Sequence, residues 1–530
     1  MHSEIAHGDT RPSFWPRVRE FAVPPSMIET ATARRHAGDW AGACAAARVD
    51  VDLDLRSVAR THGHDLAARI RADLRHLAPD LLRWHLPRIA PDGLLRPGLT
   101  LALARYANGP GDTPDTGAGP PGEHPVHLVV RTPPAWADAG QRISLALWAG
   151  PGAELGAEHC PHPRPRPHPR FRLDLHRHLW DARRSGELRV RSGADQPTTR
   201  GGSGLLAAPP DLADDAPSTL GAATAEPHWA VDRWAAEAAI LLRAEGRAAG
   251  TVAVRLGVRQ RLLLAVDLDD ESTSSTDPGL AGEASYVHEA HLQGAFDHGA
   301  FGARIVPEGA ESGGALPVLP DAATWVPPDL ALLRAGLTEL DRLHPLVAAA
   351  LAPDGYGPAA DAPAVRGGTA VSEGRPRLVE CRGALHRIGL VDGVLSALDH
   401  DPAEIAREEL LASLTGTALP CLRAIDDAHR RPACLPDVRA RLDHGDLAGA
   451  LAAVEALLGP EARLRGGALR DELEAAARRR ISHGLFRAGL FGPGPGPMRG
   501  PVPSPAPAAV PRNRRTPRPG RAHPRHTFLR

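Results

Sequence analysis

Residues 33–46 read ARRHAGDWAGACAA, and residues 440–453 read ARLDHGDLAGALAA. Between Gly38 and Ala46, and again between Gly445 and Ala453, seven of nine positions are identical. Much of that identity is alanine in an alanine-rich chain, so Gly38-Asp39 and Gly445-Asp446 carry the information. Each copy reads as helix, tight turn, helix. Glycine suits the left-handed residue that ends a helix, because it has no Cβ to clash there. Aspartate then accepts hydrogen bonds from the unpartnered amides that open the next helix. Helical blocks are therefore expected near both ends, and the class of the fold turns on what lies between them.

At 530 residues the chain has room for about two to four domains. Glycine and proline together make up 107 residues, 54 plus 53, and they concentrate in particular stretches, so folded blocks separated by linkers are expected. Aromatics are only 4%, which leaves Leu, Val and Ala to build the cores. All 62 basic side chains are arginine. With the Ala-, Gly- and Pro-rich usage, this is the composition of a GC-rich, actinobacterial type of genome. It also removes chemistry: a Walker-type phosphate loop and Schiff-base catalysis both need lysine. The five cysteines form no CxxC pair, so neither a disulfide framework nor a four-cysteine zinc site is expected. The opening residues MHSEIAHGDTRPSFW lack a basic region followed by an apolar run. No apolar run approaches the roughly 18–20 residues that cross a bilayer. A cytoplasmic protein with no membrane partner is expected.

Taken in order, 14–106 reads as a mainly helical N-terminal domain. Its exception is VDVDLDL (49–55), whose alternation suits a short half-buried strand. A Pro/Gly linker follows at 107–125. The central region, 124–270, is strand-rich. HLVVR (127–131), ISLALW (143–148), FRLDLHRHLW (171–180) and ELRVR (187–191) are its first expected strands. Residues 192–227 read as loop. HWAVDRWAAEAAILLRAEG (228–246) is an amphipathic helix with Trp234, Ala238, Leu241 and Leu242 on one face. TVAVRLGV (251–258) and RLLLAVDLDD (261–270) then suggest a hairpin. A mixed segment, 285–351, ends in helix, and 352–376 is a linker. The C-terminal domain, 377–490, starts with two short strands and continues with helices near 402–414, 420–429, the second hairpin and 468–487. A disordered Pro/Arg-rich tail, 491–530, closes the chain. The class is α+β and multi-domain.

The patterns G-D-W-x-x-A-C and G-D-L-x-x-A-L resemble the start of the second helix of tetratricopeptide units. There a small residue, as Ala43 and Ala450 would be here, lets two helices approach closely. The resemblance covers roughly 18 residues per copy, whereas an array needs at least three stacked units of about 34. Two αα-hairpins are the expectation, without the family's peptide groove.

Candidate chemistry centres on Asp267, Asp269, Asp270 and Glu271, directly after an apolar strand, where carboxylates can hold a divalent metal. AVDLDDEST resembles the nucleophile motif of haloacid-dehalogenase-type phosphatases, with Asp267 and Asp269 in the key places. It departs from that motif at Asp270, where a glycine is usual, and the family's assisting lysine is absent. Asp270, Ser272 and Ser274 are similar to the metal-adhesion site of von Willebrand A domains. The competing reading is a solvated acidic loop. His288 and His291 lie one helical turn apart but one residue short of HExxH. His159, Cys160, His162 and His168 sit in a Pro/Arg-rich stretch that reads as a nonspecific linker. Cys381 and His386 are near in sequence, and a buried cysteine is the expectation there. The arginine-rich segment 499–530 offers nucleic acid a charge contact without base stacking.

The leading expectation is a non-catalytic interaction or scaffold protein that engages a protein partner through its helical hairpins and needs no cofactor. A metal-dependent phosphotransfer enzyme using Asp267 and Asp269 is the alternative. Nucleic-acid association through the tail is the second alternative.

Overall fold

A computed structural model describes residues 15–106, 125–150, 162–195, 229–257, 260–267, 302–306, 316–353, 377–430, 432–459 and 462–490. Within them the protein is a mixed α+β structure with four small sheets. Helix α1 (Pro25–His36) opens with proline at its first turn, where no amide partner is needed, and buries Met27, Ile28 and Ala31. Gly38 takes φ +76°, and the Asp39 carboxylate accepts from Gly42 N at 2.8 Å. That bond opens α2 (Trp40–Ala46), which buries Ala43 and Cys44. The first hairpin is thus formed as its sequence dictates.

Strand β1 (Val49–Asp52) follows, then α3 (Leu55–His62), α4 (His64–His76) and α5 (Pro79–His85). A two-stranded ribbon, β2 (Arg88–Ile89) and β3 (Leu94–Leu95), leads to β4 (Thr100–Tyr106). With β5 (Val126–Arg131) and β6 (Ile143–Trp148) these build a four-stranded sheet in the order β1-β6-β5-β4. Strands β4, β5 and β6 run antiparallel, while β1 lies parallel to β6, Val49 opposite Ile143. Strands from both sides of 107–124 therefore share one sheet. Strand β4 departs from the helical reading of 14–106. It is buried on both faces, so it lacks the polar alternation that marks a half-exposed strand.

Two expected strands take other forms. Residues 171–180 run as successive turns, with Leu175 N bonded to Arg172 O, His176 N to Leu173 O and Leu179 N to His176 O. Phe171, Leu173, Leu179 and Trp180 are buried, so the apolar alternation reports packing against the core rather than strand pairing. Residues 188–192 form a short helix, α6 (Leu188–Ser192), ended by Gly193 at φ +74°. A segment so short carries no period to separate helix from strand.

A second core gathers α7 (Val231–Ala244) on an antiparallel sheet of β7 (Ala249–Arg255), β8 (Arg261–Asp267) and β9 (Gly302–Val306). Trp234, Ala238, Leu241 and Leu242 form its buried face, as their spacing predicts. The chain returns to the first core through α8 (Pro328–Arg334) and α9 (Pro345–Leu351).

The third core combines a three-stranded antiparallel sheet, β10 (Arg377–Cys381), β11 (Ala384–Val391) and β12 (Val394–Ala397), with five helices. These are α10 (Pro402–Thr415), α11 (Pro420–Arg430), α12 (Leu435–His444), α13 (Leu447–Leu458) and α14 (Ala468–Arg487). The second hairpin repeats the first: Gly445 takes φ +83°, and Asp446 accepts from Gly449 N at 3.0 Å. Its surroundings differ. This turn is pressed against Gly140, and a Cβ on Gly445 would lie 2.4 Å from the Gly140 carbonyl oxygen; around Gly38 the same space is open. Arg48 donates to His444 O at 2.6 Å. Farther along, His483 Nδ1 bonds Ala137 O at 2.8 Å, and Phe486 packs edge-on against Trp136. The expected linkers at 107–125, 192–227 and 352–376 lie almost wholly, and the tail 491–530 wholly, outside the described residues.

The two turns predict unequal responses to one substitution. Gly38→Ala should destabilise by about 1–2 kcal/mol, the cost of a Cβ in a left-handed residue. Gly445→Ala adds a steric clash with Gly140 and should cost at least about 2 kcal/mol more. Urea unfolding of the two variants measures the difference, and equal losses would mean that the second turn is not docked.

Candidate functional site

Asp267 is the last residue of β8, paired in register with Ala249 and Gly302, and its side chain is exposed. Asp269, Asp270, His288 and His291 lie outside the described residues, as do His159, Cys160 and the segment 499–530. His162 is a buried histidine whose Nε2 meets Thr132 O at 3.0 Å, tying its loop to β5. Val379, not Cys381, lies opposite His386, so that cysteine and histidine do not form a cross-strand pair.

The described residues place a partly open pocket elsewhere. A cavity of about 170 Å³ lies between the first core and the segment 321–328. Its apolar wall includes Trp15, Trp84 and Leu101 from the helices and sheet, Phe171 and Leu173 from the turn-rich segment, and Trp325. Five arginines also line it, Arg88, Arg96, Arg170, Arg172 and Arg191, against one carboxylate, Asp321.

Carboxylates hold three of these guanidinium groups in place. Arg170 clamps Asp321 through two hydrogen bonds of 2.9 and 2.6 Å. Arg172 bonds Asp174 at 2.9 Å and Glu245 at 2.7 Å. Arg191 bonds Glu237 at 2.6 Å, and His176 Nε2 lies 3.2 Å from the same carboxylate. Burial would raise the Glu237 carboxyl, but the bonds from His176 and Arg191 outweigh it and bring the group down to about 2. Of these carboxylates only Asp321 reaches the cavity wall. Three of the five lining arginines are therefore paired with carboxylates, one of which, Asp321, shares the wall.

Two histidines complete the wall. His85, at the end of α5, is pushed down to about 3 by burial and by neighbouring His344, and its Nε2 is buried without a hydrogen-bond partner. His178 is lowered well below the usual range by burial and then by His176, and its Nδ1 is likewise buried and unpartnered. Buried polar atoms are satisfied in the great majority of cases, so two unpartnered ring nitrogens beside one cavity are unusual.

Behind the aromatic wall, Asp329 accepts from the indole N–H of Trp15 at 2.8 Å and of Trp84 at 3.0 Å. Burial raises its carboxyl to about 6 despite those two bonds. Nearby, Asp80 pairs with His344 Nε2 at 3.0 Å, both side chains 1% exposed. The shape of the wall therefore depends on buried ionisable groups.

Sequence reasoning passed over His85, His178 and the lining arginines. Their signal was present in the stretches around 77–88 and 171–180, where His and Arg recur among large apolar residues. No family profile matches the chain, and neither a curated protein nor a solved structure is significantly similar to it.

The buried groups make stability depend on pH in opposite senses. Asp329 holds its proton more tightly in the fold, so its contribution is complete below its open-chain value of 3.8 and is lost as pH rises through about 6. His85 is neutral in the fold, so its contribution is present above 6.5 and is lost as pH falls toward 3. Asp329→Asn removes the first dependence alone. The advantage of wild type over this variant should be about 2 kcal/mol larger at about pH 4 than at about pH 8. Urea unfolding at the two pH values gives that difference, and a constant gap would show that Asp329 does not titrate as described.

Proposed function

We propose that this chain is a binding protein for a small organic anion, held in the arginine-lined cavity. The supporting observation is the lining itself: five arginines and one aspartate around about 170 Å³, with aromatic residues in the wall. An apolar cavity of about 150 Å³ accommodates benzene, so the occupant fitting this one is a benzene-sized body bearing a carboxylate. Guanidinium recognises a carboxylate through paired N–H donors, and aromatic walls accept the ring.

This reading keeps the binding role expected from the sequence but moves recognition from the hairpins to the cavity. The turn of the second hairpin is occupied by its contact with Gly140. The phosphotransfer alternative rests, among the described residues, on Asp267, which stands exposed at the end of β8. Its test is Mg²⁺-dependent hydrolysis of a generic phosphate ester that disappears in Asp267→Asn.

Trp15, Trp84 and Trp325 line the cavity, so intrinsic fluorescence reports its occupation. Titration with benzoate and with short branched carboxylates should saturate. The matching amides should bind at least about tenfold more weakly, the effect of one charge-assisted hydrogen bond. Ala322 lines the cavity and is exposed, so Ala322→Trp can obstruct it without disturbing the core. That variant should lose the response. Binding unaffected by Ala322→Trp, or equal for acids and amides, would refute the proposal.

A further inference from the structure

The third core holds a cluster of soft donor atoms remote in sequence from the cavity lining. Cys381 ends β10 at a tight turn in which Arg382 and Gly383 both take positive φ, +54° and +79°. Cys421 is the second residue of α11. His400 lies between β12 and α10. These three segments bring two thiols and one imidazole together, with their donor atoms all within 4.8 Å of one another. Both cysteines are fully buried, and the His400 side chain is 4% exposed.

The hydrogen bonding around this group is incomplete. His400 Nε2 is buried without a partner, while its Nδ1 lies 3.8 Å from Glu404 Oε2. His386 stacks on His400 with ring centroids 4.3 Å apart and planes at 14°, and His386 Nδ1 is also buried and unpartnered. An ordinary core of cysteines and histidines would satisfy or expose these ring nitrogens, because leaving one dry and unbonded carries its full desolvation penalty.

We propose that Cys381, Cys421 and His400 form a metal site for zinc or a similar thiolate-binding divalent ion. Tetrahedral zinc places sulfur at about 2.3 Å and nitrogen at about 2.0–2.1 Å, which sets its donors roughly 3.5–4 Å apart. Donors already within 4.8 Å close to that spacing by small side-chain rotations. Two thiols and an imidazole select zinc over magnesium or calcium, which prefer oxygen. Metal binding releases the two thiol protons to solvent and leaves both sulfurs as thiolates. The amide groups opening α11 favour that charge at Cys421. Glu404 is placed to orient the ring through Nδ1–H, the usual arrangement behind a ligating histidine. Bound metal would fasten the β10 turn to α11 and stabilise this small core. The inference stands apart from the proposed anion cavity.

The test is elemental analysis of the full chain, purified under reducing conditions from zinc-containing medium. About one zinc per chain is expected in wild type, falling at least tenfold in His400→Gln and in Cys421→Ser. Cys44, Cys160 and Cys434 remain in both variants as controls for adventitious thiol binding. If the variants do not fold, the metal-stripped wild-type chain is titrated with Co²⁺. Thiolate-to-cobalt charge transfer and the visible bands of a tetrahedral ion should then saturate near one equivalent. Zinc retained undiminished in folded variants, no thiolate–cobalt band in wild type, or a Cys381–Cys421 disulfide in the reduced preparation would each overturn the proposal.

Discussion

The side chain of Gln141 joins the two ends of this protein. Gln141 is 2% exposed and holds a positive φ of +57°. Its Oε1 accepts from Leu95 N at 2.9 Å and from Arg88 at 3.3 Å. Its Nε2 donates to His444 Nδ1 at 2.7 Å and to Asp443 O at 3.3 Å. Its backbone carbonyl receives the fully buried Arg83 at 2.7 Å. An amide nitrogen only donates, so His444 Nδ1 must be the acceptor and the ring must be neutral. The remaining ring proton then sits on Nε2, which meets Asp92 O at 3.1 Å. Burial, followed by the charge of Arg88, holds His444 at about 3 and keeps it in that form. One neutral histidine thus fixes the C-terminal hairpin against the helices and sheet of the first core.

The same physics shapes the cavity. Arginine is the only basic side chain besides histidine in this chain, and its guanidinium is shared with carboxylate partners in several directions. The network of Arg191, Glu237 and His176 ties an arginine of the cavity lining to a carboxylate outside that lining. Buried ion pairs of this kind position groups more than they stabilise the fold. Their value here lies in fixing arginines in a cavity wall that also carries aromatic residues.

What the sequence disclosed was local. Gly38-Asp39 and Gly445-Asp446 specify their turns through one backbone conformation and one cap each, so they could be read without knowing the fold. The apolar face of α7 was equally legible, because four residues at helical spacing suffice to define it. Strand β4 was hidden because it is buried on both faces, and 171–180 misled because its alternation reflects turns against a core. The cavity was illegible because its wall draws on residues as distant as Trp15, Phe171 and Trp325. The Cys381, His400 and Cys421 cluster was missed for a related reason. Eighteen and then twenty residues separate its members, so no short spacing announces it. The acidic run after β8 stood out in sequence, yet only Asp267 of it falls among the described residues.

The joint at Gln141 can be tested directly, because all nine tryptophans lie at or before Trp325 and none lies in α10–α14. Apart from Trp136, which packs on Phe486, tryptophan fluorescence therefore follows the first two cores, while far-ultraviolet circular dichroism also follows the C-terminal helices. Urea unfolding of the wild-type chain near neutral pH should give coincident transitions by the two probes. His444→Leu keeps comparable bulk but removes the acceptor for Gln141 and the donor to Asp92, and it should move part of the dichroism transition to lower urea. Separate transitions in wild type, or unchanged coincident transitions in His444→Leu, would contradict the coupling described here.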